Sequence, residues 1–143
     1  MENNSHCDLD HRHIIVTAFV SNPPLTVEIG ENWLHELVDI VDMKILMNAS
    51  AIYCEDLGNE GVTGVVGLTT SHASFHSWHD CEKPFVQMDL YSCRHFEIED
   101  VLNHMLKFGA YEIDYVLIDR NLKANNPIQR VNRTYNKETN IWE

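Results

Sequence analysis

Residues 69–78 read TTSHASFHSW, and Cys93 lies further along the chain. Ser71 and its neighbours offer hydroxyls, His72 and His76 offer imidazoles, and Cys93 offers a thiol. In an extended chain His72, Ser74, His76 and Trp78 share one face, and Ala73, Phe75 and Ser77 share the other. Three readings compete. His72 and His76 have the i, i+4 spacing that suits zinc on a helix, but HASFH lacks the glutamate of a zincin motif and the segment reads as strand, so no metal is expected. Cys93 with His76 or His72 could form a nucleophile and base, yet no protease signature accompanies them. A wet strand face whose histidines bond to neighbours would need no chemistry. Periodicity alone leaves these readings open.

The elements that must position these residues follow from hydrophobic patterning. HIIVTAFV (13–20) is β-branched and apolar and reads as a strand, broken by SNPP (21–24). A helix is expected over about 27–44, with Ile29, Trp33, Leu37 and Val41 in one stripe and Leu34 and Val38 beside it. SAIYCEDL (50–57) and VTGVVGLT (62–69) read as strands joined by the turn GNEG, and the chain stays extended through Trp78. In FVQMDLY (85–91) Val86, Met88 and Leu90 alternate with Phe85, Gln87, Asp89 and Tyr91. A second helix is expected over about 97–108, with Ile98, Val101, Leu102, Met105 and Leu106 inward and Gly109 as its stop. YEIDYVLID (111–119) is the last strand, and residues 120–143 form a polar, Asn-rich extension, either wrapped on the body or partly disordered. The predicted fold class is α+β: a two-layer α/β sandwich, with a mostly antiparallel sheet and two helices on one face. The other face is expected to be solvated or covered by another subunit.

The chain of 143 residues is of one-domain size. Residues 1–119 carry five Lys/Arg against twenty Asp/Glu, while 120–143 carry five against two. An acidic body disfavours nucleic acid, whose phosphates need clustered cations, and favours cationic ligands. No apolar run is long enough for a bilayer, and MENNSHCDLDHRH lacks the pattern of a secretory signal, so neither a membrane nor export is expected. Cys7, Cys54, Cys81 and Cys93 form no Cys-x-x-Cys pair and read as free thiols in a reducing cytoplasm. His6, His11 and His13, in and beside a loose N-terminal arm (1–12), are expected to be solvated.

GVTGVVGLTTSHASFHSW followed by PFVQMDLYSC resembles the core of the bacterial and archaeal S-adenosylmethionine decarboxylases. Those proteins carry Gly-Val-Ser-Gly-Val-Val, then Glu-Ser-His-x-x-x-His-x-Trp-Pro-Glu, then Asp-x-Tyr/Phe-x-Cys. The match is close over about residues 61–93 and looser over 13–119, which makes 1–119 the expected decarboxylase-like domain. The resemblance implies a self-made cofactor. A serine hydroxyl attacks the preceding carbonyl, the peptide becomes an ester, and elimination and hydrolysis leave a pyruvoyl group. That group takes the substrate amine as a Schiff base and serves as electron sink, without pyridoxal phosphate or metal.

Carried over by position, Ser71 is the pyruvoyl precursor and Thr70–Ser71 the cleavage site. Thr63 takes the processing hydroxyl, where the family has serine. His76 assists cleavage, and Cys93 returns a proton to the product. Asp80 falls where the family's glutamate follows Trp-Pro and is the candidate for holding substrate. Trp78, Phe85, Tyr53 and Tyr91 are rings available to a sulfonium or adenine. The chain departs from the pattern at Thr70 (family glutamate) and His79 (family proline), and its Ser71-to-Cys93 spacing is about two residues longer. The attacked carbonyl is backbone, so the attack needs no glutamate side chain. The implied activity is decarboxylation of S-adenosylmethionine for spermidine synthesis by a homodimer whose sites draw on both subunits. Alternatives are a non-cleaving homologue that binds a small cationic metabolite or regulates a partner, and a decarboxylase acting on arginine or ornithine.

Overall fold

A computed structural model describes residues 10–143; His6, Cys7 and the rest of residues 1–9 lie outside the described part. The elements run β1 (Arg12–Val20), α1 (Val27–Ile40), β2 (Ile45–Cys54), β3 (Gly61–Leu68), β4 (Ser71–Trp78), β5 (Phe85–Ser92), α2 (Ile98–Met105), β6 (Ala110–Asp119), β7 (Ile128–Asn136) and β8 (Ile141–Trp142). A 3-10 turn, Leu106–Phe108, extends α2. The strands form one sheet in the order β2-β3-β4-β5-β1-β6-β7-β8, and every pairing is antiparallel. The α+β two-layer sandwich expected from the sequence is the architecture found.

The period-two pattern sorts the sheet into two faces. Ile14, Val16, Ala18, Val62, Val66, Ala73, Phe75, Val86, Met88, Leu90 and Ile113 point to the helices and are buried. The two helices close over them. Thr26 caps α1, its Oγ1 accepting from the Ile29 amide at 3.2 Å. Trp33, Leu34, Leu37 and Val38 are the buried side chains of α1, and Val101, Leu102 and Met105 are apolar anchors of α2. His104 ties the helices together: its Nε2–H donates to the Trp33 carbonyl at 2.8 Å, and the Trp33 indole donates to the His104 carbonyl at 3.2 Å.

Four boundaries differ from the sequence reading. Helix α1 stops at Ile40 rather than 44, because Asp42 turns the chain at φ 55°. Ile29 is 48 % exposed, because Gly30 is the residue that meets the sheet in that turn. A Cβ at Gly30 would sit 2.8 Å from the Phe75 ring. Strand β2 begins five residues early, at Ile45. The stretch 62–78 is a hairpin, not one extended run: Leu68 pairs with Ser71 across the two-residue turn Thr69–Thr70. The polar extension supplies β7 and β8, with Arg130 bonded to Asp114, Arg133 paired with Glu99 and Trp142 buried. Its strand IQRVNRTYN mixes polar and β-branched residues and pairs with the edge of β6 without a large apolar face.

Candidate active site

The hairpin turn sets the geometry of Ser71. Two-residue β-turns favour Gly, Asn or Asp, which accept positive φ. Here both turn residues are β-branched threonines, and the unusual dihedral falls on the next residue: Ser71 has φ 150°. Among the described residues, the other non-glycine positions with positive φ are Asp42, Asn126 and Asn140, whose side chains tolerate it. A serine held there stores about 1–3 kcal/mol of backbone strain.

The same peptide meets the end of β5. Ser71 pairs with Ser92, which sets Cys93 just past the strand beside Thr70. The Cys93 amide donates to the Thr70 carbonyl oxygen at 3.0 Å. That oxygen would gain negative charge if a nucleophile added to its carbon, and a donor already aimed at it stabilises such an oxyanion. The Thr70 hydroxyl is buried without a partner. Cys93 is half-buried and its thiol is free.

Thr63 and His76 form a second group. They are cross-strand partners, and the Thr63 hydroxyl is hydrogen-bonded to His76 Nδ1. His76 Nε2 is buried with no partner, and the His76 and Trp78 ring centroids are 4.1 Å apart. Burial pushes the His76 pKa below the ordinary imidazole value, so the ring is neutral near pH 7. With Nδ1 engaged, Nε2 is the nitrogen free to exchange a proton. This pair does not meet Ser71 within the chain. His76 is five residues along β4, about 17 Å at roughly 3.4 Å per residue. The four groups carried over from the resemblance therefore fall into two clusters, Ser71 with Cys93 and Thr63 with His76.

Most of the proposed substrate contacts sit near the second cluster, whereas Tyr91 pairs with His72 beside Ser71. Trp78 stacks on Phe85 at 4.6 Å and donates its indole N–H to Asn59 Oδ1 at 2.8 Å. Asp80 is exposed in the loop after β4. Tyr53 bonds through its hydroxyl to His79 Nε2 at 2.6 Å, so the residue replacing the family proline is held from β2. Tyr91 lies under the Arg120 guanidinium at 3.9 Å. A pocket of about 310 Å³ lies on the helix side, lined by Pro23, Ile29, Trp33 and Phe108, and contains none of these residues.

Sequence reasoning missed a third group. His13, expected in solvent, bonds through Nε2 to Asp89 Oδ2 at 2.8 Å, and His72 Nε2 reaches the same oxygen at 3.3 Å. Asp89 stands inside the Asp-x-Tyr-x-Cys motif, a usable signal, but its link to His13 depends on β1 pairing with β5. His11, also expected in solvent, contacts the Tyr91 hydroxyl at 3.2 Å.

Comparison with known proteins bears on these clusters. A sequence search among curated proteins found no match. The crystal structure of the adenosylmethionine decarboxylase from Aquifex aeolicus VF5 is similar in fold, with TM-score 0.63, 19 % identity, and coverage of 82 % of this chain and 95 % of that one. The family model described as S-adenosylmethionine decarboxylase matches residues 12–121, a span that holds Thr63, Ser71, His76 and Cys93. This chain belongs to the S-adenosylmethionine decarboxylase family.

Proposed function

We propose that the chain cuts itself between Thr70 and Ser71 and then decarboxylates S-adenosylmethionine in the cytoplasm, supplying the aminopropyl donor for spermidine synthesis. The family is one of lyases. The observation that carries the finer reading is the Thr70–Ser71 peptide itself. It joins backbone strain at Ser71 to a carbonyl oxygen that already accepts the Cys93 N–H. Attack by the Ser71 hydroxyl on the Thr70 carbonyl carbon relieves that strain. The C–N bond breaks, the ester C–O bond forms, and the serine oxygen's proton passes to the freed amine. Loss of the Ser71 α-proton then expels the Thr70 carboxylate, and water replaces the nitrogen of the dehydroalanine as ammonia. Thr70 contributes only its backbone to the attack, so the family's glutamate is not required for it.

A pyruvoyl group at position 71 supplies a carbonyl that draws off the electrons of the breaking carbon–carboxylate bond. Around it Cys93 holds the proton that the substrate carbon regains. Trp78 and Phe85 pair at the far end of β4 and β5 from Ser71, so their aromatic face would reach a sulfonium there from a second copy of the chain, as would the carboxylate of Asp80.

A second copy of the chain completes the site. Thr63 and His76 stand about 17 Å along the strand from Ser71, too far to act within one chain. They lie on the sheet face away from the helices, where Ile15, Ile52 and Val65 are 41, 68 and 51 % exposed. Two such faces packed together across a twofold axis would carry the pair of one copy towards Ser71 of the other.

The experiment is the intact mass of the purified protein with and without a ketone-capturing hydrazine. Two fragments, 1–70 and 71–143, are expected, and only the second should take up the reagent. A single unmodified chain after prolonged incubation would refute self-cleavage. Product analysis with S-adenosylmethionine, arginine and ornithine then identifies the substrate.

A further inference from the structure

Three metal-ligating side chains converge beside the scissile peptide, and the steps proposed for cleavage use none of them. His13 comes from β1, His72 from β4 and Asp89 from β5, strands that are neighbours in the sheet. One donor atom of each lies within 4.8 Å of the other two. Both imidazoles aim Nε2 at a single oxygen, Asp89 Oδ2, and the other carboxylate oxygen accepts the Ser74 hydroxyl. The two rings stand edge to face at 6.2 Å, with Tyr91 flanking both. The His13 and Asp89 side chains are 18 and 23 % exposed and that of His72 45 %, so the cluster is sheltered yet open to solvent.

We infer that His13, His72 and Asp89 bind one divalent transition-metal ion of the zinc class. Two imidazoles and a carboxylate are the donor set of open, three-ligand zinc sites, and the same set holds other first-row ions. Donors around a tetrahedral ion with bonds of about 2.1 Å lie about 3.4 Å apart, within reach of the observed spread by small side-chain rotations. Each neutral imidazole shifts its N–H to Nδ1 and presents the Nε2 lone pair. Ser74 already fixes the carboxylate from outside, as supporting residues do at metal sites. The acidic body draws cations towards the site. An ion here would pin β1, β4 and β5 together at the residue after Ser71. The site does not depend on whether the chain cleaves.

Chelator-treated wild-type chain is titrated with Zn²⁺ by calorimetry and with Co²⁺ by visible absorption. Saturable uptake of about one ion per chain is expected, with the intense bands of four- or five-coordinate cobalt. Asp89→Asn and His13→Gln abolish the saturable event. Ser74→Ala weakens it by about 10–100-fold. His95→Ala, which removes an exposed imidazole between Asp10 and Glu97, leaves it unchanged. X-ray absorption of the zinc-loaded wild type should report two imidazoles plus oxygen, and this decides the matter even if a variant fails to fold. The inference is overturned by non-saturable binding, by sulfur in the metal shell, by loss in His95→Ala, or by undiminished affinity in a folded Asp89→Asn.

Discussion

Mixing two chains that are each unable to cleave themselves tests the shared site directly. One chain carries His76→Ala and keeps Ser71; the other carries Ser71→Ala and keeps His76. Within either chain the imidazole position and the scissile peptide are separated by five strand residues, about 17 Å, and no rotamer spans that gap. If the site forms across a dimer, a mixed dimer holds one working combination: Ser71 of the first chain against His76 of the second. Equal amounts refolded together and paired at random give about half mixed dimers, so about half of the His76→Ala chains, or a quarter of all chains, become cleavable. Mass spectrometry identifies the cut chain because the two substitutions differ in mass. Each variant alone should stay intact on the same timescale. The reasoning is refuted if the mixture yields no fragments while wild type cleaves. It is equally refuted if His76→Ala alone cleaves at the wild-type rate.

Other expectations follow from single contacts. Cys93→Ala removes the thiol but keeps the backbone N–H on the Thr70 carbonyl, so fragments should still appear while decarboxylation falls by about 10²–10⁴-fold. Burial lowers the His76 pKa, so the wild-type cleavage rate should hold at neutral pH and fall on an acid limb centred below about 6.5; a limb above that value would contradict a neutral buried ring. His104 is likewise held neutral, chiefly by burial and against the Trp33 hydrogen bond. Its folded pKa is below the unfolded one, so the unfolded chain binds the extra proton and stability drops as pH falls from about 6.5 towards the folded value; urea midpoints at pH 7 and 5 measure it, and His104→Gln should flatten that slope. Gly64 sits under α1, where a Cβ would lie 2.7 Å from the Phe75 ring and 2.9 Å from Leu34, so Gly64→Ala should cost about 1–3 kcal/mol in urea unfolding.

Much of this protein is legible in one dimension because its signals are local. The alternation of Val86, Met88 and Leu90 with Gln87, Asp89 and Tyr91 depends only on the period of a strand, and the sheet obeys it. The stripe of Val101, Leu102 and Met105 depends only on the helical period, and those side chains are buried. The spacing of serine, histidines, tryptophan and cysteine carries the family likeness without any fold in hand.

What the linear chain could not supply is everything set by strand pairing. Nothing in TTSHASFHSW marks Thr69–Thr70 as a turn, because neither is a usual turn residue; the hairpin exists because β3 and β4 pair, and that pairing leaves the strain on Ser71. The amide of Cys93 finds the Thr70 carbonyl only because Ser71 and Ser92 stand opposite each other. His13 joins His72 and Asp89 across 59 and 76 residues of sequence because β1 enters the sheet beside β5. The sequence alone thus determined which residues face which way along each element, since side-chain direction is a property of backbone period. Only the tertiary structure decided which of them meet, since register is chosen by burial summed over the whole sheet.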